Sequence, residues 1–139
     1  MARIKYDASL MKTMSVFEAV TRTKLKDCFI DSNGLLVFVV NLTQISKAIG
    51  KQGQNVKKLE SMLNRKIKIV EFNPSLVRFV RNLVYPLKVK EVEEEDGVVT
   101  ITGYDTTSKG LLIGKNSQNI KNYVVIVKRY FDIKDMKVV

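Results

Sequence analysis

The sequence predicts an α+β protein of two tandem small domains, residues 1–73 and 74–139, each a three-stranded sheet with helices packed on one face. A nine-residue segment occurs twice in the chain, and the same order of apolar patterns surrounds each copy. That order is helix, strand, strand, helix, glycine loop, helix, strand. The 139 residues are enough for two units near the lower size limit of independently folding domains.

The repeated segment is IGKQGQNVK at Ile49–Lys57 and IGKNSQNIK at Ile113–Lys121. Six of the nine positions are identical, and Val56 and Ile120 are conservative equivalents. Self-similarity of this kind indicates that one supersecondary unit has been duplicated. Each element can therefore be assigned twice, once in each unit.

Each unit begins with a helical pattern. The apolar positions with helical spacing are Leu10, Met14 and Phe17 in the first unit and Leu76, Phe79, Val80, Leu83 and Val84 in the second. Asp7 and Pro74-Ser75 are favourable starts for these helices. Pro86 lacks a backbone N–H, so the second of these helices is expected to end before it.

A β-hairpin follows each first helix. The predicted strands are residues 24–31, 35–40 and 67–70 in the first unit and 87–93, 98–103 and 133–139 in the second. Asn33-Gly34 and Asp96-Gly97 separate the first two strands of each unit, and both dipeptides favour tight hairpin turns. The third strand of each unit follows the helix-loop-helix that contains the repeated segment.

The charge favours a polyanionic partner such as nucleic acid, because 24 Lys and Arg against 14 Asp and Glu leave +10. Residues 1–73 hold 13 basic and 6 acidic residues, net +7, whereas residues 74–139 hold 11 and 8, net +3. We therefore expect stronger attraction of phosphates in the first unit.

Catalysis is not expected, because histidine is absent and Cys28 is the one cysteine. The same composition argues against a metal site and provides no sign of a cofactor, and Cys28 is expected to be a buried small hydrophobe. The apolar run Leu35–Val40 is far shorter than a membrane span. The chain is therefore expected to be cytoplasmic and not associated with a membrane.

The glycine loop Gly50–Gly53 lies between two helical segments. Glycine has no Cβ, so a nucleic-acid backbone can approach closely, and the next helix presents unpaired N–H groups and a positive dipole end. One such loop alone favours an ordinary helix C-cap and turn. Two loops in register favour a shared binding role.

Helices around a glycine-x-x-glycine loop, in this order of elements, resemble the type II KH domain. In that family the loop holds about four nucleotides of single-stranded RNA or DNA by their backbone. Bases then lie in an apolar groove, for which Ile45, Ile49 and Val56 are the wall candidates. The residues to which the resemblance assigns RNA binding are Ile49, Gly50, Lys51, Gln52, Gly53, Gln54, Asn55, Lys57, Gly114, Lys115, Asn116, Ser117, Gln118, Asn119 and Lys121.

A closer resemblance, to the short archaeal form of the NusA family, rests on residues 26–31, 48–60, 85–89 and 113–116. It implies a factor in transcription elongation, termination or antitermination that binds single-stranded RNA and contacts RNA polymerase. The alternative is a protein scaffold that docks on RNA polymerase or the ribosome with little RNA contact. Ser117 and the acidic run at residues 91–96 motivate that alternative. The oligomeric state is not indicated.

Ser117 departs from the glycine pattern, since it stands where the second loop should have its second glycine. Two interpretations are open. In the first, serine narrows the approach of a nucleic-acid backbone, and a left-handed conformation costs about 1 kcal/mol more than with glycine. The second loop then binds weakly or serves mainly to orient the first. Alternatively, the hydroxyl of Ser117 caps the following helix.

Overall fold

A computed structural model describes residues 7–139 of the chain. The chain divides into two compact units, with the boundary between Asn73 and Pro74. The predicted first domain begins at Met1, and its residues 1–6 lie outside the described residues. No helix within 7–139 is long and apolar enough to cross a membrane.

The first unit contains three helices and a three-stranded sheet among its described residues. The elements are α1 (Ala8–Thr21), β1 (Leu25–Ile30), β2 (Leu36–Val40), α2 (Ile45–Ile49), α3 (Gln54–Leu63) and β3 (Ile67–Glu71). Strand β2 is central, antiparallel to β1 and parallel to β3. Asp7 caps α1 as predicted, because its carboxylate accepts a hydrogen bond of 2.7 Å from the backbone N–H of Leu10.

The core of the first unit lies between its sheet and its helices. Phe17 of α1 stacks on Phe38 of β2, with ring centroids 4.3 Å apart. The buried members of this core are Phe17, Cys28, Leu36, Phe38, Val40, Ala48 and Leu59. Cys28 is fully buried, which confirms its predicted role as a small hydrophobe.

The second unit has the same element order. Its elements are α4 (Leu76–Val84), β4 (Val89–Glu95), β5 (Val98–Gly103), α5 (Thr106–Ile113), α6 (Gln118–Lys128) and β6 (Asp135–Val138). Strand β5 is central, antiparallel to β4 and parallel to β6. Helix α4 begins after Ser75, which accepts a hydrogen bond from Arg78, and ends before Pro86 as predicted.

Strand β4 lies two residues farther along the chain than the sequence pattern indicates. The pairing of β4 with β5 continues to Glu95 and Val98, so the hairpin loop is only Asp96-Gly97. Both loop residues have positive φ, 52° and 82°. This tight two-residue turn allows the strands to pair up to the turn itself, and apolar character alone does not reveal that extension.

One face of the second sheet packs on helices. Val99, Ile101 and Gly103 of β5 are buried, and the residues between them are half-buried. Phe79 contacts the rings of Tyr130 and Phe131 at centroid distances of 5.3 and 5.7 Å, so these two aromatics pack within the unit. The predicted α+β class, with a three-stranded sheet and helices in each unit, is confirmed.

Candidate nucleic-acid interface

The first glycine loop joins α2 to α3 through a single 3₁₀ turn at Lys51–Gly53. Gly50 ends α2 with φ 79° and ψ 169°, a region that is essentially restricted to glycine. Gln52 (φ 55°, ψ 28°) and Gly53 (φ 73°, ψ 19°) are both left-handed. The chain therefore turns sharply between two helices, and Lys51 and Gln52 of the loop are exposed.

The second loop follows the same backbone path between α5 and α6. Gly114 has φ 75° and ψ 171°, Asn116 has φ 56° and ψ 33°, and Ser117 has φ 61° and ψ 22°. These angles match those of Gly50, Gln52 and Gly53, although one glycine is replaced. The substitution has therefore changed the side chain and left the loop conformation in place.

The two interpretations of Ser117 are separated by this geometry. Ser117 is left-handed, so the conformational cost in the first interpretation applies. It precedes α6 but makes no side-chain capping hydrogen bond, so the capping interpretation is wrong. A capping serine needs an extended backbone to bring its hydroxyl to the first N–H groups of the helix, and the left-handed conformation does not provide that geometry.

Replacing Ser117 with glycine is expected to raise the free energy of unfolding by about 1 kcal/mol, because glycine adopts the left-handed conformation without the penalty of a Cβ. The matched change Gly53→Ser should lower it by about the same amount. A Cβ at Gly53 meets no atom within 4 Å, so the backbone conformation alone sets that cost. Urea denaturation of the two variants and the wild type measures both values. Equal stability of all three proteins would contradict the left-handed interpretation.

Asn55 and Asn119 hold the two loops in shape. The Asn55 amide Nδ2 donates a 3.2 Å hydrogen bond to the carbonyl of Lys47, and the Asn119 amide donates a 2.7 Å bond to that of Leu111. Each bond joins the start of the second helix to the end of the first, across the glycine. The sequence showed only that asparagine recurs in both copies, because its partner lies eight residues upstream.

The side chains that the sequence assigned to RNA binding form one group in each unit. Four exposed side chains lie on the loops themselves: Lys51, Gln52, Lys115 and Asn116. On the first turn of each following helix, Gln54, Lys57, Gln118 and Lys121 are also exposed, while Asn55 and Asn119 are half-buried. Gly50, Gly53, Gly114 and Ser117 are half-buried at the turns. In each unit, two exposed lysines and two exposed amide side chains thus lie on the loop and the first turn of the helix that follows it.

The apolar groove candidates of the first unit are half-buried. Ile45 packs against the core, so it is held in place by the fold. Ile49 lies at the end of α2 and Val56 in the first turn of α3, one on each side of the loop. Apolar side chains therefore lie on both sides of the loop.

The electrostatics of both loops favour an anion. Helices α3 and α6 have no acidic residue in their first turn, so their positive dipole ends are not neutralised locally.

In the second unit, Asp105 caps the helix that leads into the loop. The pKa of its carboxyl is lowered because the backbone N–H and the hydroxyl of Ser108 donate to the charged form, with a smaller contribution from Lys88.

Comparison with known proteins identifies the family. A family model described as "NusA-like second KH domain" matches residues 16–75, which is most of the first unit. A Halobacterium salinarum protein named "Probable transcription termination protein NusA" is 32% identical over 96% of this chain and 97% of its own length. Proteins with the same name from Methanococcus vannielii (30% identical, 99% of this chain, 80% of the relative) and Thermoplasma acidophilum (26%, 99% and 97%) also match.

A solved structure supports the same assignment. The crystal structure of a protein designated APE1850 superposes with a TM-score of 0.74 at 28% identity, over 96% of this chain and all of that one. Likeness in sequence and in fold therefore extends through both units. The chain belongs to the NusA family of KH-domain proteins.

Proposed function

We propose that this chain is a single-stranded RNA-binding factor of transcription elongation, termination or antitermination that acts by binding and not by catalysis. The observation that carries the proposal is the pair of loops, which share one backbone conformation and expose a lysine beside a helix N-terminus. The names of the NusA relatives connect such a chain with transcription termination. Action in the cytoplasm, on nascent RNA next to RNA polymerase, fits this role.

The loops provide a physical mechanism for binding. A phosphate can approach the backbone at Gly53, where even an added Cβ would meet no atom within 4 Å, and Lys51 adds a mobile positive charge. The half-buried Ile49 and Val56 then contact the bases. Two such units in one chain raise the effective concentration of the second site once the first is occupied.

The salt dependence of RNA affinity tests this mechanism. About four phosphate contacts in one unit predict a slope near −3 when log affinity is plotted against log salt concentration. We expect fluorescence anisotropy with a single-stranded RNA, selected from a random pool, to give a slope at least this steep. The equivalent single-stranded DNA is the control for sugar preference. An affinity that does not change between low and moderate salt would contradict the phosphate clamp.

A second candidate function is docking on RNA polymerase or the ribosome. The strand pairing in the second unit places Glu91, Glu93 and Glu95 on the sheet face opposite the buried one, beside Thr100 and Thr102. A basic protein surface is the complementary partner for such a face. Ser117 no longer supports this candidate, because the second loop keeps the conformation of the first. A chain that captures polymerase equally well after its RNA affinity is abolished at the loops would favour docking.

A further inference from the structure

An open cavity of about 520 Å³ lies in the first unit, and its lining residues all precede the glycine loop in the chain. It forms where α1 ends, β1 is about to begin and β2 has ended. Its lining includes Glu18, Arg22, Lys24, Asn41, Leu42 and Gln44. The residues that line this cavity are mostly polar or charged, and the site residues derived from the repeat do not account for it.

The lining has the chemistry of a nucleotide site. Arg22 and Lys24 provide positive charge for a phosphate, and the amides of Asn41 and Gln44 can pair with the edge of a base. Glu18 offsets only one of these two positive charges, and its Oε2 accepts a 2.8 Å hydrogen bond from the backbone N–H of Leu25. The net character of the cavity is therefore cationic, with hydrogen-bonding groups beside the charge.

The backbone around the cavity is held in a costly conformation. Thr43, between Leu42 and Gln44, has φ 72°, which is an outlier for a β-branched residue. The Oε1 atom of Glu71 accepts a 3.0 Å hydrogen bond from the Thr43 N–H and so fixes this turn. Arg22 is also left-handed, with φ 57°. Strain of this kind concentrates at functional sites, where it orients neighbouring side chains.

The short helix α2 connects the cavity to the glycine loop. Gln44 immediately precedes α2 and Gly50 immediately follows it. The six residue steps from Gln44 to Gly50, at the helical rise, correspond to about 9 Å, which is short compared with an RNA strand of several nucleotides. An RNA longer than the loop's own footprint therefore has a second polar site within reach on the same unit.

We propose that this cavity is a second RNA subsite of the first unit. It takes the phosphate and base of a nucleotide that continues beyond the four held at Gly50–Gly53. Arg22 and Lys24 contact the phosphate, Asn41 and Gln44 contact the base edge, and Leu42, 47% exposed, contacts the base face. This inference rests on the proposed RNA-binding function and adds a subsite to it.

The test uses the full chain with the second loop disabled by Lys115→Asp and Asn116→Asp. RNAs of four and eight nucleotides are compared, both taken from the sequence selected in the random pool. The cavity variant is Arg22→Gly with Lys24→Gln, and glycine at position 22 relieves the left-handed strain while removing the charge. The matched control is Lys12→Gln with Lys66→Gln, which removes two exposed lysines of the same unit.

We expect the cavity variant to bind the eight-nucleotide RNA about tenfold more weakly, while its affinity for the four-nucleotide RNA changes less than about twofold. Its salt slope with the longer RNA should be shallower by about 0.7, the contribution of one phosphate on a single strand. The control variant should stay within about threefold of its parent for both RNAs. Thermal unfolding checks that the cavity variant is at least as stable as its parent.

Two outcomes would overturn the subsite alone. One is an equal loss of affinity for the longer RNA in the cavity and control variants. That result would mean that the loss comes from the lower net charge of the unit and not from the cavity. The other is a loss of affinity for the four-nucleotide RNA in the folded cavity variant, which would mean that the cavity acts through the loop. If the wild-type chain binds neither RNA, the proposed function itself fails, and the subsite fails with it.

Discussion

Replacing Lys51 and Gln52 with aspartate is expected to weaken RNA binding by at least about a hundredfold, or about 2.7 kcal/mol. The change removes one positive charge and adds two negative charges where a phosphate must approach, and both side chains are exposed. The fold should persist, because Gln52 is left-handed and aspartate tolerates that conformation better than most residues. Fluorescence anisotropy with the pool-selected RNA measures the loss, and circular dichroism checks the fold.

The same change at the second loop is Lys115→Asp with Asn116→Asp. Comparing its loss of RNA affinity with that of the first-loop variant shows which loop contributes more to binding. Both loops have the same backbone path, but the first unit carries the larger positive charge, so we expect the larger loss from the first loop. The charge control is Lys12→Asp with Lys66→Asp, two exposed positions outside the loop. Near-wild-type affinity of the Lys51 and Gln52 variant would rule out the first loop as the clamp.

Replacing Gly50 with alanine is expected to lower the free energy of unfolding by about 2–4 kcal/mol. The φ and ψ of Gly50 lie in a region that residues with a Cβ essentially do not occupy. A Cβ there would also lie 2.9 Å from the Cγ and Nδ2 atoms of Asn55 and 3.2 Å from its backbone N. The Asn55 side chain cannot move away freely, because its amide is bonded to Lys47. Urea denaturation of the full chain measures the effect.

The matched control for this variant is Gly53→Ala. Gly53 is also left-handed, but a Cβ there meets no atom within 4 Å, so we expect a cost of only about 1 kcal/mol. A double variant, Gly50→Ala with Asn55→Ala, separates the contact with Asn55 from the backbone cost through the coupling energy. Equal destabilisation by Gly50→Ala and Gly53→Ala would contradict the close approach of Asn55 to Gly50.

The sequence by itself determined the order of the elements and the position of both loops. Helical and alternating spacings are local properties of a chain, so Asp7, Ser75 and Pro86 mark helix ends that the structure places where expected. The duplication strengthened the assignment of each helix and strand, because the same order of elements had to fit both copies of the repeat. Charge and the repeated Ile-Gly-Lys then identified the loops as the candidate site.

Only the tertiary structure decided features that depend on backbone angles or on distant partners. Serine is compatible with a cap or with a left-handed turn, and the path between α5 and α6 selects the turn at Ser117. The bond from Asn55 to Lys47 and the cavity beside Arg22 bring together residues from separate elements. Such contacts form only when the chain packs, because the partner of a side chain then lies in another element. The local sequence pattern around a residue therefore does not predict them.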